Sequence, residues 1–173
     1  MTKKERNELE RRKKELEKSI NLKLIRALGF DISSNGNVCD QDTFSPIRFK
    51  HKYLKYADID QNLPFHNNDI VFDPLNNFKL LTSLFDIHLK YCQQCGMNIY
   101  THYPEEVILG DIKCTSICIM TDMRKYMTEY YPNVVCAYAD AILHLDPYGF
   151  SEDQIEDIEE LRQWGNLNEY LLQ

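Results

Sequence analysis

The sequence predicts an α+β fold, with a long charged N-terminal helix, small antiparallel hairpins packed on a central helix, and helices at the C-terminal end. Apolar residues recur at helical spacing in several segments, which indicates amphipathic helices. An Asn35-Gly36 pair, a strong hairpin signal, is followed by alternating apolar and polar residues. The 173 residues, 43% of them hydrophobic, suffice for one buried core.

The first helix is predicted over residues 2–28, with Gly29 as its stop. Its apolar positions repeat every three, four or seven residues, at Leu9, Leu16, Ile20, Leu24 and Leu28. Up to Lys18 the chain holds eight basic and five acidic residues, so this segment carries +3 and the remainder −10. We therefore expect residues 1–29 to form a charged helical unit and residues 30–173 a single α+β domain.

The middle of the chain predicts a central helix and strands. Asp73-Pro74 indicates the helix start, because Asp is a favoured N-cap and Pro is favoured at the first helical position. One apolar face then continues for about 22 residues, to a stop at Gly96. Residues 106–120 are predicted as one strand, and a second strand follows from Lys125.

The C-terminal part predicts two helices. The first covers residues 133–146, with Pro147 as its stop. The second begins with a capping box, Ser151-x-x-Gln154, and ends at Gly165. Its first part is strongly acidic, with six acidic residues and no basic residue over positions 151–160.

The clearest chemical motif is Cys92-Gln-Gln-Cys95-Gly96. It is typical of a zinc knuckle, in which two thiolates face the metal and the glycine turns the chain. A full site needs two more ligands. Cys114 and Cys118 on one strand would lie about 13 Å apart, so one of them with His102 or His88 would complete the site, and we take Cys114 and His102 as the candidates. The alternative is that the cysteines are free thiols in the core and no cofactor is bound.

A protein interface is the second candidate site. Tyrosine offers a large rigid area with a polar tip, and basic and acidic terminal helices on neighbouring copies attract each other. The alternatives are ordinary solvated helix faces and, for the lysine-tyrosine strip over residues 50–56, stacking on nucleic acid. The candidate contact residues, from both terminal helices and this strip, are Lys13, Lys14, Tyr53, Tyr56, Glu156 and Glu160.

Charge and motif content exclude several classes of function. A net charge of −7 disfavours nucleic acid and anionic membranes as partners. The N-terminal segment has no apolar run like that of a secretory signal, and no stretch has the length of a membrane span. No GxSxG, HExxH, Walker A or GxGxxG motif occurs in the sequence, so we do not expect an enzyme. The expected location is the cytoplasm, or a virion.

Two segments carry a resemblance, FDPLNNFKLLTSLF (72–85) and EYYPNVVCAYADAILHLDPYGF (129–150). With their heavy use of Asn, Lys, Tyr and Ile, they resemble small proteins of AT-rich tailed bacteriophages, including crAss-like phages. The similarity is compositional and transfers no functional residues. It implies a viral or mobile-element origin and a role as a virion part or as an inhibitor of a host protein.

These observations predict a non-enzymatic protein–protein interaction component, a phage-like virion or assembly protein that acts as an oligomer. Two alternatives stay open at this point. One is a small zinc-stabilised regulatory or nucleic-acid-associated protein. The other is an acidic inhibitor that docks its C-terminal helix on a basic host protein.

Overall fold

The computed structural model describes residues 1–32, 38–40, 73–151 and 155–173, and over these ranges the fold is α+β, as predicted. The helices are α1 (Lys3–Ala27), α2 (Phe78–Gln94), α3 (Val134–His144) and α4 (Ile155–Leu172). The strands are β1 (Phe30–Ile32), β2 (Val38–Asp40), β3 (Ile99–Leu109), β4 (Ile112–Thr121), β5 (Lys125–Met127), β6 (Leu145–Asp146) and β7 (Gly149–Phe150). The predicted Asn35-Gly36 turn and the strip with Tyr53 and Tyr56 lie outside the described residues.

Three antiparallel sheets are formed by the described strands. β1 and β2 pair with Phe30 opposite Asp40, which confirms the predicted hairpin. β3, β4 and β5 form a three-stranded sheet in that order, with the long β4 in the centre. β6 and β7 form a short hairpin between α3 and α4.

Helix α1 begins and ends as predicted. A capping box starts it, since the Thr2 hydroxyl accepts from the Glu5 N–H at 3.1 Å and the Glu5 carboxylate accepts from the Thr2 N–H at 2.7 Å. Gly29, with φ of 90°, follows its last turn in the left-handed conformation that favours glycine. One face of its C-terminal half is buried and contributes Ile20, Leu24, Ile25 and Leu28 to the core shared with residues 75–164.

The predicted start of the central helix is wrong. Asp73-Pro74 opens a single 3-10 turn (Pro74–Asn76), and α2 begins at Phe78, where the Asn77 side chain accepts from the Leu80 N–H at 3.1 Å. Asp73 instead accepts from the Asn21 side chain of α1 at 2.8 Å. The Asp73 carboxylate, which the sequence predicts as the N-cap of the central helix, therefore binds α1 and does not cap α2.

The single strand predicted over residues 106–120 is also wrong. The chain turns at Gly110-Asp111, so the segment is the end of β3 and nearly all of β4. Gly110 has φ of +64°, which a two-residue hairpin turn requires. β5 is only three residues long, shorter than predicted.

The prediction for α3 is confirmed, and the predicted end of α4 is wrong. α3 begins after Asn133, whose side chain accepts from the Val135 N–H at 2.9 Å, and ends at His144. α4 continues through Gly165 to Leu172, so the predicted stop is wrong: this glycine lies against α3 instead. Most of the predicted capping box lies outside the described residues.

The core lies between the four described helices and one face of β4. α1 and α4 run antiparallel, since Arg6 donates to the Leu171 carbonyl at 3.2 Å and Trp164 donates to the Glu17 carboxylate at 3.0 Å. The largest fully buried side chains are Trp164, Tyr131 and Phe85. None of the described helices combines the length and the apolar character needed to cross a lipid bilayer.

Candidate interaction surface

The β3–β4 hairpin combines a largely exposed strand, β3, with a largely buried strand, β4. Its two strands pair continuously from His102 opposite Ile119 to Leu109 opposite Ile112. Directly paired residues share a face of the sheet. The face that carries Ile117 and Ile119 packs into the core. The hairpin is therefore anchored on one side, and its other face points away from the core.

Three aliphatic side chains surround the turn at Gly110-Asp111. Ile108 is 74% exposed, Leu109 53% and Ile112 56%. We call these three residues the hairpin tip. Single exposed apolar residues are ordinary, but a contiguous exposed group on a rigid element indicates an interaction site.

The face of the hairpin that points away from the core also carries apolar side chains. On β3 it carries Tyr103 and Val107, and opposite them on β4 it carries Cys118 and Cys114. Both thiols are buried although neither belongs to the main core cluster. We call these four residues the hairpin face. Leu109 and Ile112 of the tip lie on this face, whereas Ile108, opposite Lys113, lies on the face that carries Ile117 and Ile119.

A small polar cluster covers the inner end of the hairpin face. The Tyr130 hydroxyl donates to the Glu105 carboxylate at 2.5 Å, and the Lys125 ammonium lies 3.5 Å from the same carboxylate. The ammonium also lies 5.8 Å from the centroid of the Tyr103 ring. The Tyr130 hydrogen bond, then Lys125, hold the pKa of Glu105 below its usual value, so this carboxyl is ionised at neutral pH.

The outer edge of β3 is guarded against addition of a further strand. Ile117 donates its N–H to the Thr128 hydroxyl at 2.9 Å and accepts from the Thr128 N–H at 3.1 Å, so both groups point away from β3. Pro104, opposite Ile117, therefore turns its nitrogen to the outer edge. A proline there interrupts the row of N–H donors that another strand would need.

The predicted zinc ligands are not brought together. Cys92 is buried near the end of α2, Cys95 is exposed after it, Cys114 lies on the hairpin face and the His102 ring packs edge-on against Phe85. In the part of the chain that the structure describes, no three His, Cys, Asp or Glu side chains are placed to hold one metal ion. Burial raises the pKa of Cys92 to about 12, which keeps this thiol protonated.

Two of the four predicted interface residues on the terminal helices have intramolecular partners. Lys13 pairs with Glu17 at 3.6 Å along α1, and Glu160 accepts from Lys23 at 2.5 Å. Lys14 and Glu156 are exposed. The basic first helix and the acidic last helix thus meet within one chain.

A buried polar network joins α1, α3 and α4. The His144 ring, 4% exposed, contacts Asp140 through Nδ1 and lies 3.4 Å from Asp157 through Nε2. Lys23 donates to Asp157 at 2.8 Å. Burial opposes ionisation of Asp157, but the bonds from Lys23 and His144 outweigh it and lower the pKa of this carboxyl.

Sequence reasoning missed both the hairpin tip and the His144 network. The tip had a signal, because Gly-Asp between aliphatic residues is typical of a two-residue hairpin turn. The network had only the i,i+4 spacing of Asp140 and His144, because Lys23 and Asp157 join it through the packing of α1 and α4.

Comparison of the chain with known protein families, curated proteins and solved structures gives no match.

Proposed function

We propose that this chain is a non-enzymatic protein–protein interaction component that associates with further copies of itself through the hairpin tip and hairpin face. The observation that carries the proposal is the exposure of Ile108, Leu109 and Ile112 on one rigid, core-anchored hairpin. Burial of such a side chain contributes about 1.5–3 kcal/mol, and a two-fold contact buries each of the three twice.

The tip alone is too small for a stable contact. A stable interface buries about 800 Å² on each partner, roughly 20–30 residues a side. On β3, Tyr103 and Val107 of the hairpin face extend the accessible surface inward from the tip, whereas Cys114 and Cys118 opposite them are buried. We therefore place Tyr103 and Val107 within the contact, with Pro104 directing the partner to the side chains instead of the strand edge.

Charge favours a protein partner over a membrane or nucleic acid. Asp111 lies in the turn between the tip residues, and the neighbouring cation, Lys113, is paired with Glu106 at 3.1 Å. With a net charge of −7, the chain repels anionic lipid and phosphate backbones. The intramolecular pairing of Lys23 with Asp157 and Glu160 favours the hairpin over the charged helices as the contact.

Such an assembly would form in a virion or in the cytoplasm of an infected host. The support for this setting is the compositional resemblance of residues 72–85 and 129–150 to small phage proteins. The exposed apolar hairpin adds an assembly surface of the kind that a particle component needs.

The test is the molar mass in solution by size-exclusion chromatography with light scattering, over a wide range of protein concentration. We expect the wild type to form an oligomer and the variant Ile108→Ser/Leu109→Ser/Ile112→Ser to be monomeric. Because the contact is apolar, high salt should leave the oligomer intact, whereas a contact between charged helices would dissociate. A wild-type monomer at every concentration would contradict the proposal.

The matched control removes equally exposed apolar residues elsewhere. Met123, 85% exposed, lies in the turn between β4 and β5, and Tyr148, 96% exposed, lies in the turn between β6 and β7. Met123→Ser/Tyr148→Ser should keep the oligomer. Circular dichroism and thermal unfolding verify that both variants fold, and equal dissociation of the two variants would refute the assignment to the tip.

A further inference from the structure

His144 occupies a position that its neutral ring cannot satisfy. The ring is buried between two carboxylates, with Nδ1 bonded to Asp140 of its own helix and Nε2 directed at Asp157 of α4. An ionised carboxylate only accepts hydrogen bonds, and a neutral imidazole has only one N–H. Both contacts therefore form together only when the ring carries two protons and a positive charge.

Asp140 is held in place by hydrogen bonds from two other donors. Its Oδ2 accepts from the Tyr131 hydroxyl at 2.7 Å and from the Glu129 N–H at 3.2 Å, while its Oδ1 contacts His144. Two donors hold the carboxylate on the side away from the ring, so it is oriented before His144 is considered. Asp157, on the α4 side of the ring, is only partly buried and is therefore the carboxylate that can move.

The charged groups around the ring come from several elements. α1 contributes Lys23, which bonds to both Asp157 and Glu160 of α4. α2 contributes His88, whose Nε2 donates to the Leu145 carbonyl next to His144. With His144 protonated, three carboxylates, those of Asp140, Asp157 and Glu160, face two cations. Loss of the proton leaves Lys23 as the single cation of this set.

We propose that His144 is a pH-dependent latch, which in its doubly protonated form fastens the first turns of α4 to α3. When the ring loses a proton, one carboxylate contact is lost. Because Nδ1 is the better-bonded nitrogen, the contact that opens is Nε2 to Asp157, and α4 loosens at its N-terminal end.

The direction of the pH effect follows from the opposing effects of burial and of the two carboxylates on the pKa of His144. Burial acts to lower the pKa of His144, but the hydrogen bonds and charges of Asp140 and then Asp157 outweigh it and raise the pKa above 6.5. A raised folded-state pKa means that the latch contributes fully below about pH 6.5 and is lost as the pH rises through the folded-state value.

Two NMR measurements on the full chain test the latch. The first is the imidazole titration of His144 in the wild type, in Asp157→Asn and in Glu156→Gln. The second is amide hydrogen exchange of residues 155–161 from about pH 6 to about pH 9, divided by the intrinsic rate at each pH. Glu156→Gln is the matched control, because it removes the same charge from an exposed position on the same turn.

We expect His144 to titrate above 6.5 in the wild type and in Glu156→Gln, and lower in Asp157→Asn, where an amide can serve the neutral ring. Protection of residues 155–161 should fall about threefold or more across the wild-type titration, while protection of α2 stays unchanged. A wild-type pKa at or below 6.5, or α4 protection that does not follow the titration, would overturn the proposal. If Asp157→Asn fails to fold, the wild-type titration and exchange decide it.

Discussion

Gly165 of α4 lies directly against Cys136 of α3, since a Cβ built on this glycine would be 3.1 Å from the Cys136 Sγ. The thiol is buried and donates to the Leu161 carbonyl at 3.3 Å, so it has little room to move. Burial raises the pKa of Cys136 to about 12, which keeps the proton needed for this bond. Close approach of two helices, and not helix termination, accounts for the glycine.

We therefore expect Gly165→Ala to lower the free energy of unfolding by about 1 kcal/mol. Overpacking costs about 1–3 kcal/mol, and alanine returns about 1 kcal/mol through its helix propensity. In a Cys136→Ala background, the same substitution should stabilise the protein. Urea denaturation of the four proteins in this double-mutant cycle measures the coupling, and equal effects in both backgrounds would contradict the contact.

The start of α2 makes a second prediction. Asn77→Ala should lower the free energy of unfolding by about 1 kcal/mol, because it removes the side chain that accepts from the Leu80 N–H. Asn77→Asp keeps the acceptor and should cost little. Thermal unfolding of the two variants compares them directly. If both variants lost the same stability, the capping role assigned to Asn77 would be wrong.

Much of the fold could be predicted because local rules and tertiary packing agree. The apolar repeat of α1 and its Gly29 stop are decided within the segment itself, and so is the end of α3 before Pro147. The start of α2 is different. Asp73 and Asn77 are both good cap residues, and the hydrogen bond from Asn21, more than fifty residues away, decides between them.

Gly165 and His144 show why the other features of the fold and of the site could not be predicted from the sequence. A glycine late in an amphipathic segment is typical of a helix end, and only the distance to Cys136 of α3 shows otherwise. The chemistry of His144 depends on Asp140 four residues before it and on Asp157 of the next helix. Spacing could indicate the first of these, but the second follows from helix packing. The exposure of the hairpin tip likewise required the turn at Gly110 to be recognised.

The hairpin turn makes a third prediction, which separates backbone conformation from packing. Gly110 has φ of +64° and nothing within 4 Å of its added Cβ, so a substitution there changes only the backbone preference. Gly110→Ala should lower the free energy of unfolding by about 1–2 kcal/mol. Gly110→Asn should cost less, because asparagine tolerates the left-handed region. Denaturant unfolding measures both, and equal costs would contradict the turn conformation.

The fourth prediction concerns Lys23, the cation that α1 supplies to α4. Lys23→Met should lower the free energy of unfolding by about 1–2 kcal/mol near neutral pH, because it leaves Asp157 and Glu160 without their shared donor. The value is below that of a fully buried pair, because the side chains are 19–32% exposed. Lys18→Met, at an exposed position of the same helix, is the control and should have little effect.

The penalty for Lys23→Met should also depend on pH. Despite burial, Lys23 and His144 hold the pKa of Asp157 below 3.8, so this interaction stabilises the fold above about pH 3.8 and is lost as the pH falls through the lower folded-state value. Without Lys23 the pKa of Asp157 rises toward its unfolded value, so acid removes less stability from the variant than from the wild type. The difference in free energy of unfolding should therefore shrink from about pH 7 to about pH 3 in urea titrations. A difference that stays constant over this range would show that Lys23 acts through its aliphatic chain and not through its charge.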